Sequence, residues 1–153
     1  MKLNMSVIRE KKVVIVGDGG VGKSQFVKRL AGFDFDPIYN TTLGVEVRSI
    51  ADRDSGIKYN IWDVAGKEKL DGLRVGYYNN SDIAVVMYSV DNKWTASSVS
   101  KWKQDIRKNC GNIPIYVVGN KTDCENKVEV ESDFKVSCKT GFNPKDFMEL
   151  IRE

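Results

Sequence analysis

Continuous apolar runs alternate with helix-like segments along this chain. Three of the runs are typical of strands that helices cover on both faces: Val13–Val16, Ile83–Tyr88 and Ile113–Val118. Gln25–Ala31 carries apolar residues at helical spacing, and so does Val99–Cys110, where Trp102 lies on the apolar face and is predicted to belong to the core. This alternation predicts an α/β domain with a mostly parallel sheet.

Further segments complete the predicted architecture. Alternating residues from Val45 onward, a turn that contains glycine, and the segment Tyr59–Asp63 predict a β-hairpin at an antiparallel edge of the sheet. Phe134–Ser137 is the sixth predicted strand, and Asn143 before Pro144 is a favourable start for a final helix. We therefore expect a six-stranded, mainly parallel sheet with one antiparallel edge strand and helices on both faces.

Composition narrows the class of protein. With 153 residues and 41% hydrophobic content, the chain is predicted to form one domain over residues 1–153. The net charge of +3 is mild and lysines alternate with acids, so we expect no nucleic-acid-binding surface. The chain has no histidine, which removes Ser-His and Cys-His catalysis. Its three scattered cysteines fit a reducing compartment better than a disulfide framework.

Membrane attachment is not expected from this sequence. No stretch reaches the length of a membrane-spanning helix, and the first residues lack the apolar centre of a signal peptide. Met-Gly at the start and a cysteine at the end, the usual lipidation signals, are both missing. We expect a monomer with no membrane or lipid anchor.

A glycine-rich segment lies between the first predicted strand and the first predicted helix. It reads Gly17-Asp18-Gly19-Gly20-Val21-Gly22-Lys23-Ser24 and is followed by Gln25. The glycines let successive backbone N–H groups converge on phosphates, Lys23 brings a positive charge to the outer phosphates, and the Ser24 hydroxyl can bind Mg²⁺. The segment predicts a phosphate-binding loop, which would serve an ATPase, a nucleoside kinase or a GTPase equally.

A second motif distinguishes between these classes of nucleotide-binding protein. Asn120-Lys121-Thr122-Asp123 comes where a predicted strand ends, and ligands of open α/β sheets lie beyond the carboxyl ends of strands. Asp123 can accept hydrogen bonds from N1 and N2 of guanine, whereas adenine lacks this pair of donors. Lys121 can lay its methylene groups along the base. Alone, the tetrapeptide is equally typical of a surface turn; after a phosphate loop it indicates guanine.

A third motif, Trp62-Asp63-Val64-Ala65-Gly66, closes the predicted hairpin. Asp63 is placed to hold Mg²⁺ through a water molecule, and the backbone N–H of Gly66 can approach the terminal phosphate. Thr42, in the loop Phe33–Leu43, is the predicted second side-chain ligand of Mg²⁺. A loop held in place only through the third phosphate is an order–disorder switch.

With these motifs in this order, the chain resembles the Ras superfamily of small GTPases over essentially its whole length, and among the branches it is most similar to Ran. The segments that carry the latter resemblance are Thr42-Leu43-Gly44-Val45-Glu46-Val47 and Gly72-Leu73-Arg74-Val75-Gly76-Tyr77-Tyr78. The resemblance implies a P-loop NTPase fold and a switch that binds GTP or GDP with Mg²⁺. It also implies a role in nucleocytoplasmic transport, a location in cytoplasm and nucleus, and as partners nuclear-transport receptors and an exchange factor or activator of Ran type.

The resemblance assigns residues that the local pattern leaves open. The backbone of Ser137-Cys138-Lys139 would hydrogen-bond to guanine, and Phe35 would pack against the base. Tyr39 would be a switch residue that regulators contact, and it is counted with Gly66 and Lys67 among the catalytic residues. Phe35 and Tyr39 are, on local pattern alone, equally typical of half-buried loop anchors. Cys138 stands where relatives usually have alanine, and we expect it to be a passive small residue.

Lys67 is the largest departure from these relatives, because the family has there the glutamine that orients the attacking water. An ammonium has hydrogen-bond donors only, so it cannot orient water by accepting its proton. We expect slow GTP hydrolysis or, as an alternative, a GTP-locked binding module that sequesters transport receptors or Ran regulators. On local pattern alone, Lys67 is more typical of an exposed surface lysine beside Glu68, and both interpretations leave the position of the catalytic glutamine empty.

Two further departures concern the last third of the chain. The connection from Asp123 to Ser137 is shorter than in relatives, which predicts a compressed crossover with at most a turn or two of helix and a short last strand. The sequence stops at Glu153, before the further helix and acidic tail of Ran relatives. Partners that grip that tail are expected to bind more weakly.

Overall fold

A six-stranded sheet organises the chain. The computed structural model describes residues 9–33, 45–64, 76–128 and 130–152. The strands are β1 (Arg9–Gly17), β2 (Val45–Asp52), β3 (Ile57–Val64), β4 (Ile83–Ser89), β5 (Ile115–Asn120) and β6 (Phe134–Lys135). They lie in the order β2-β3-β1-β4-β5-β6, with β2 and β3 antiparallel and the other pairs parallel. The predicted sheet, including its antiparallel edge strand, is confirmed.

Helices cover both faces of this sheet. The described helices of five or more residues are α1 (Lys23–Leu30), α2 (Lys93–Ser97), α3 (Val99–Cys110) and α4 (Pro144–Ile151). Val13 and Ile15 of β1 belong to one buried cluster with residues of α1 and α4, and Val14 and Val16 belong to a second cluster with residues of α2 and α3. Alternate side chains of one continuous apolar strand therefore reach opposite layers, as expected for a strand covered on both faces.

The strand order places a crevice at the end of β1. From β1 the chain passes to β3 on one side and later to β4 on the other, so the order reverses at this strand. In open α/β sheets, ligands bind outside the carboxyl ends of the strands at such a reversal. The phosphate loop follows β1 directly and therefore lies at this position.

Several predicted boundaries were wrong, for local reasons. β1 extends back to Arg9, beyond the apolar run, because the backbone of these charged residues pairs with β3. β5 covers residues 115–120 instead of 113–118, since Pro114 has no N–H to contribute to a ladder. The last strand ends at Lys135 instead of Ser137, because Ser137 forms an isolated antiparallel bridge with Gly141 and the chain turns there.

The compressed crossover between β5 and β6 is confirmed. Among its described residues, 121–128 and 130–133, none is helical. The segment is held instead by two backbone hydrogen bonds. The N–H of Lys127 donates to the carbonyl of Val90, the residue after β4, at 2.8 Å, and the N–H of Asp133 donates to that of Val117 in β5 at 2.8 Å. Within the described parts of the chain, no helix has both the length and the apolar character needed to cross a bilayer.

Candidate nucleotide-binding site

The phosphate loop passes very close to the ends of β4 and β5. Gly20 and Gly22 have φ angles of 84° and 100°, in the left-handed region that favours glycine. A Cβ atom on Gly22 would lie 2.3 Å from Nδ2 of Asn120, and one on Gly17 would lie 2.4 Å from the carbonyl oxygen of Met87. Glycine is therefore required at Gly17 and Gly22 by the close approach of neighbouring strands.

The first turn of α1 continues directly from this loop. Gly22 is the N-cap residue, no side chain caps the helix, and its first turn has no acidic residue. Helix N–H groups without a side-chain acceptor form a site for anions, which the helix dipole also favours. The helix begins at Lys23 instead of the predicted Gln25, so Lys23, Ser24 and Gln25 all lie in this first turn. Before it, Asp18, Gly19, Gly20 and Val21 form the loop, with Val21 buried and Gly19 exposed.

Lys23 is the positively charged residue of the loop. Its side chain is buried, and Nζ donates to the carbonyl oxygens of Gly17 at 2.9 Å and Asp18 at 3.2 Å. Burial lowers the pKa of Lys23, and the nearby carboxylates of Asp63 and Asp18 oppose that shift. A buried ammonium held mainly by neutral carbonyl groups gains free energy from an anionic ligand.

Ser24 and Asp63 bring two kinds of oxygen ligand together. Oγ of Ser24 donates to Oδ2 of Asp63 at 2.5 Å, which joins the first turn of α1 to the end of β3. The other carboxylate oxygen of Asp63, Oδ1, is buried and has no hydrogen-bond partner within the described part of the chain. A buried carboxylate oxygen needs a partner, and hydroxyl and carboxylate oxygens suit Mg²⁺. These two residues therefore fit Mg²⁺ at the predicted position.

Asn120 joins the phosphate loop to the segment predicted to contact the base. It is the last residue of β5 and is buried. Its Nδ2 donates to the carbonyl of Val21 at 2.9 Å, and its Oδ1 accepts from the backbone N–H of Cys138 at 3.3 Å. Lys121 makes a second contact with the phosphate loop, since its Nζ donates to the carbonyl of Gly20 at 2.9 Å. Its backbone has a positive φ of 66°. Asn120 and Lys121 of the guanine motif therefore also hold the phosphate loop in position.

Asp123 is exposed at the same edge of the sheet. Its Oδ1 accepts from Oγ of the buried Ser137 at 2.7 Å. This hydrogen bond lowers the pKa of Asp123, and the positive charge of the exposed Lys139 contributes to the shift. The side chain is therefore an ionised, pre-oriented pair of acceptors, which suits the two adjacent donors of guanine.

The match to known families agrees with this geometry. The model of the Ras family matches residues 12–150. The chain belongs to the Ras family. Members of this family bind guanine nucleotides, usually with Mg²⁺, so the chain is a small GTP-binding switch protein that interacts with regulators and effectors.

Five predicted site residues of this Ras-family protein lie outside the described residues: Phe35, Tyr39, Thr42, Gly66 and Lys67. Their roles stay predictions. Ser137, Cys138 and Lys139 do lie beside the guanine motif despite the shortened crossover. Burial raises the pKa of the Cys138 thiol to about 12, so it is neutral, in keeping with its predicted passive role.

Sequence reasoning missed the hydrogen bonds that tie the phosphate loop of this Ras-family protein to distant segments, and one of them comes from α3. Trp102 is buried in the core, as predicted, but its Nε1 also donates to Oδ1 of Asp18 at 3.0 Å. A buried indole N–H usually has a hydrogen-bond acceptor, which was the available signal. The acceptor itself could not be identified, because the two residues are 84 positions apart in the chain.

The charge of Asp63 makes a pH dependence of Mg²⁺ binding testable. Burial raises the pKa of Asp63, and the Ser24 hydroxyl and Lys23 oppose the shift. Because Mg²⁺ requires the carboxylate, its affinity for the nucleotide complex should fall as the pH is lowered through this raised pKa. The stability of the nucleotide-free protein should depend on pH in the opposite direction. Because the pKa of Asp63 is higher in the folded than in the unfolded protein, the free energy of unfolding should fall as the pH rises through the folded pKa.

Titration of Mg²⁺ into the protein–nucleotide complex at several pH values measures this effect. The Asp63→Asn variant should bind Mg²⁺ about tenfold more weakly and lose the part of the pH dependence that Asp63 contributes, keeping only that of the nucleotide phosphates. A pH profile that is the same in wild-type protein and in Asp63→Asn would contradict the assignment of Asp63.

Proposed function

We propose that this protein is a Ran-like switch that binds GTP or GDP with Mg²⁺ and engages partners through two switch loops. The proposal is carried by the two hydrogen bonds of Asn120, which make the phosphate loop and the segment around Cys138 one connected site. A ligand that has both phosphates and a guanine base would contact each half. The Ser24–Asp63 pair adds a place for Mg²⁺ between α1 and β3.

The position of the hairpin supports switching. Val45 at the start of β2 pairs with Val64 at the end of β3, so the two proposed switch segments connect to the sheet at the same end of the hairpin. Asp63, which bonds to Ser24, is the neighbour of Val64 at that end. Thr42 and Gly66, in those segments, would report the third phosphate to the residues that partners contact.

The Ran-like assignment rests on Gly72-Leu73-Arg74-Val75-Gly76-Tyr77-Tyr78 and predicts nuclear-transport receptors and an exchange factor or activator of Ran type as partners, in cytoplasm and nucleus. A pull-down with protein loaded separately with GTP and GDP tests it. Capture of transport receptors by only one of the two forms would support the assignment, and identical partners in both forms would contradict switching.

Slow GTP hydrolysis is the second part of the proposal. The residue after Gly66 is Lys67, whose ammonium cannot accept a proton from the attacking water. The Lys67→Gln variant should raise the single-turnover rate of GTP hydrolysis at least about tenfold in the presence of a Ran-type activator, because glutamine can orient water. Release of γ-phosphate from preloaded protein measures the rate.

Lys127→Gln is the matched control for this measurement, since Lys127 is exposed in the crossover and its backbone N–H, which the substitution keeps, donates to the carbonyl of Val90. It should leave hydrolysis unchanged. An unchanged rate in Lys67→Gln, or wild-type hydrolysis as fast as in ordinary relatives, would contradict the proposal.

Lys67 also favours one alternative function, a GTP-locked module that sequesters transport receptors or Ran regulators. The two functions differ in turnover: the module would hold GTP indefinitely with and without an activator. An ATPase or nucleoside kinase would leave the guanine motif without a role. Displacement of labelled GTP by excess ATP would revive that class, whereas selective displacement by GTP supports guanine binding.

A further inference from the structure

We propose that Trp102 is a positioning residue for the bound nucleotide, acting on the phosphate loop through Asp18. The inference rests on the proposed binding of guanine nucleotides. Its basis is the hydrogen bond of 3.0 Å from Nε1 of Trp102, on α3, to Oδ1 of Asp18, the second residue of the loop. The loop is thus held from two sides, by Asn120 of β5 and by α3.

The charge of Asp18 explains why such a contact matters. A carboxylate in a loop that binds phosphates repels its ligand if it turns toward it. The indole N–H forms a charge-assisted bond that holds this carboxylate against α3. The backbone carbonyl of Asp18 also accepts from Nζ of Lys23 at 3.2 Å, so the orientation of Asp18 bears directly on the phosphate-binding ammonium.

The anchor that holds Asp18 is rigid. Trp102 and its helical neighbour Ile106 are both buried against the sheet. On the same helix, Asp105 accepts a hydrogen bond from the hydroxyl of the fully buried Tyr78 at 2.8 Å. A large aromatic side chain packed in this way has little rotational freedom, so its N–H is a fixed reference point for the loop.

Trp94 offers a matched control. It lies on the adjacent helix α2, and 72% of its surface is exposed. Trp102→Phe keeps an aromatic ring in the core but removes the N–H, whereas Trp94→Phe makes the same chemical change away from the loop. We expect Trp102→Phe to release fluorescently labelled GDP about tenfold faster than wild-type protein, the order given by one hydrogen bond to a charged group. Trp94→Phe should release it at the wild-type rate.

The partner is tested in an Asp18→Ala background. There the hydrogen bond to Asp18 is already absent, so adding Trp102→Phe should change the release rate less than twofold. NMR of bound GDP distinguishes a positioning role from a loss of packing. Trp102→Phe should shift the ³¹P resonance of the β-phosphate, whereas the proton resonance of the guanine imino group should stay unchanged. Equal effects of Trp102→Phe in both backgrounds, or an unchanged β-phosphate resonance, would overturn the proposal.

A measurement with Trp102 intact covers the case in which Trp102→Phe does not fold. In the Trp62→Phe/Trp94→Phe variant, Trp102 is the only tryptophan, because the chain has three. Its fluorescence emission should change when EDTA releases the nucleotide, and Asp18→Ala should abolish that change. A fluorescence emission that stays the same when the nucleotide is removed would overturn the proposal. Failure of wild-type protein to bind GDP at all would instead contradict the proposed function.

Discussion

Replacing Asp123 by alanine should weaken the binding of guanosine triphosphate about a thousandfold, since two hydrogen bonds to a charged group contribute about 3–6 kcal/mol together. The hydrogen bond from Ser137 orients this carboxylate and lowers its pKa, so it is ionised at neutral pH. Without it, the N1 and N2 donors of guanine lose their hydrogen bonds to water and gain no partner. Calorimetry or displacement of a labelled nucleotide measures the loss.

Inosine triphosphate separates recognition of the base from damage to the site, because it lacks the exocyclic amino group of guanine. Wild-type protein should prefer GTP over inosine triphosphate, and Asp123→Ala should remove most of that preference. Glu125→Ala, an exposed acid two residues further along the same crossover, is the control and should retain wild-type affinity. A full preference for GTP in Asp123→Ala would show that another group reads the base.

The sequence predicted the fold well where one physical signal dominated. The apolar runs of β1, β4 and β5 are typical of strands buried on both faces, and the hairpin alternation predicted the antiparallel edge. Boundaries failed where backbone pairing overrode side-chain character. The charged residues at the start of β1 pair with β3 because that strand lies alongside them, and this neighbour is a property of the topology.

The site residues, too, were predictable where the signal is local and not where it depends on the topology. The phosphate loop and the guanine motif were predictable because their chemistry is carried by consecutive residues. The contacts between distant segments were not: Asn120 reaches Val21, and Trp102 reaches Asp18, only because the sheet order brings the ends of β1, β4 and β5 together. Such contacts depend on which strands become neighbours, and local spacing does not encode that.

These long-range contacts change how the site works. Asn120, Lys121 and Trp102 all hold the phosphate loop through hydrogen bonds within the protein, so part of the free energy that shapes the loop comes from the protein itself. Pre-organisation lowers the ordering cost of binding and directs more of the interaction energy into affinity. Lys23 differs from these three residues, because burying its ammonium costs free energy that an anionic ligand offsets.

Replacing Lys23 by methionine should therefore have opposite effects on stability and on binding. Methionine fills a similar volume without burying a charge. Because the desolvation that lowers the pKa of Lys23 outweighs the attraction of Asp63 and Asp18, the nucleotide-free protein should be at least as stable as wild type in chemical denaturation. GTP affinity should fall about a hundredfold or more, because removing one partner of a buried charge pair costs about 2–5 kcal/mol. The two measurements, on the same preparation, distinguish a residue kept for its ligand from one kept for the fold.

Lys28→Met is the control on the same helix, where Lys28 is only half-buried and lies in the last turn of α1. It should change neither quantity appreciably. A Lys23→Met protein that is clearly less stable than wild type would mean that the bonds from Nζ to Gly17 and Asp18 are worth more to the fold than the ammonium's desolvation costs. Unchanged GTP affinity would remove Lys23, and with it the phosphate loop, from the proposed site.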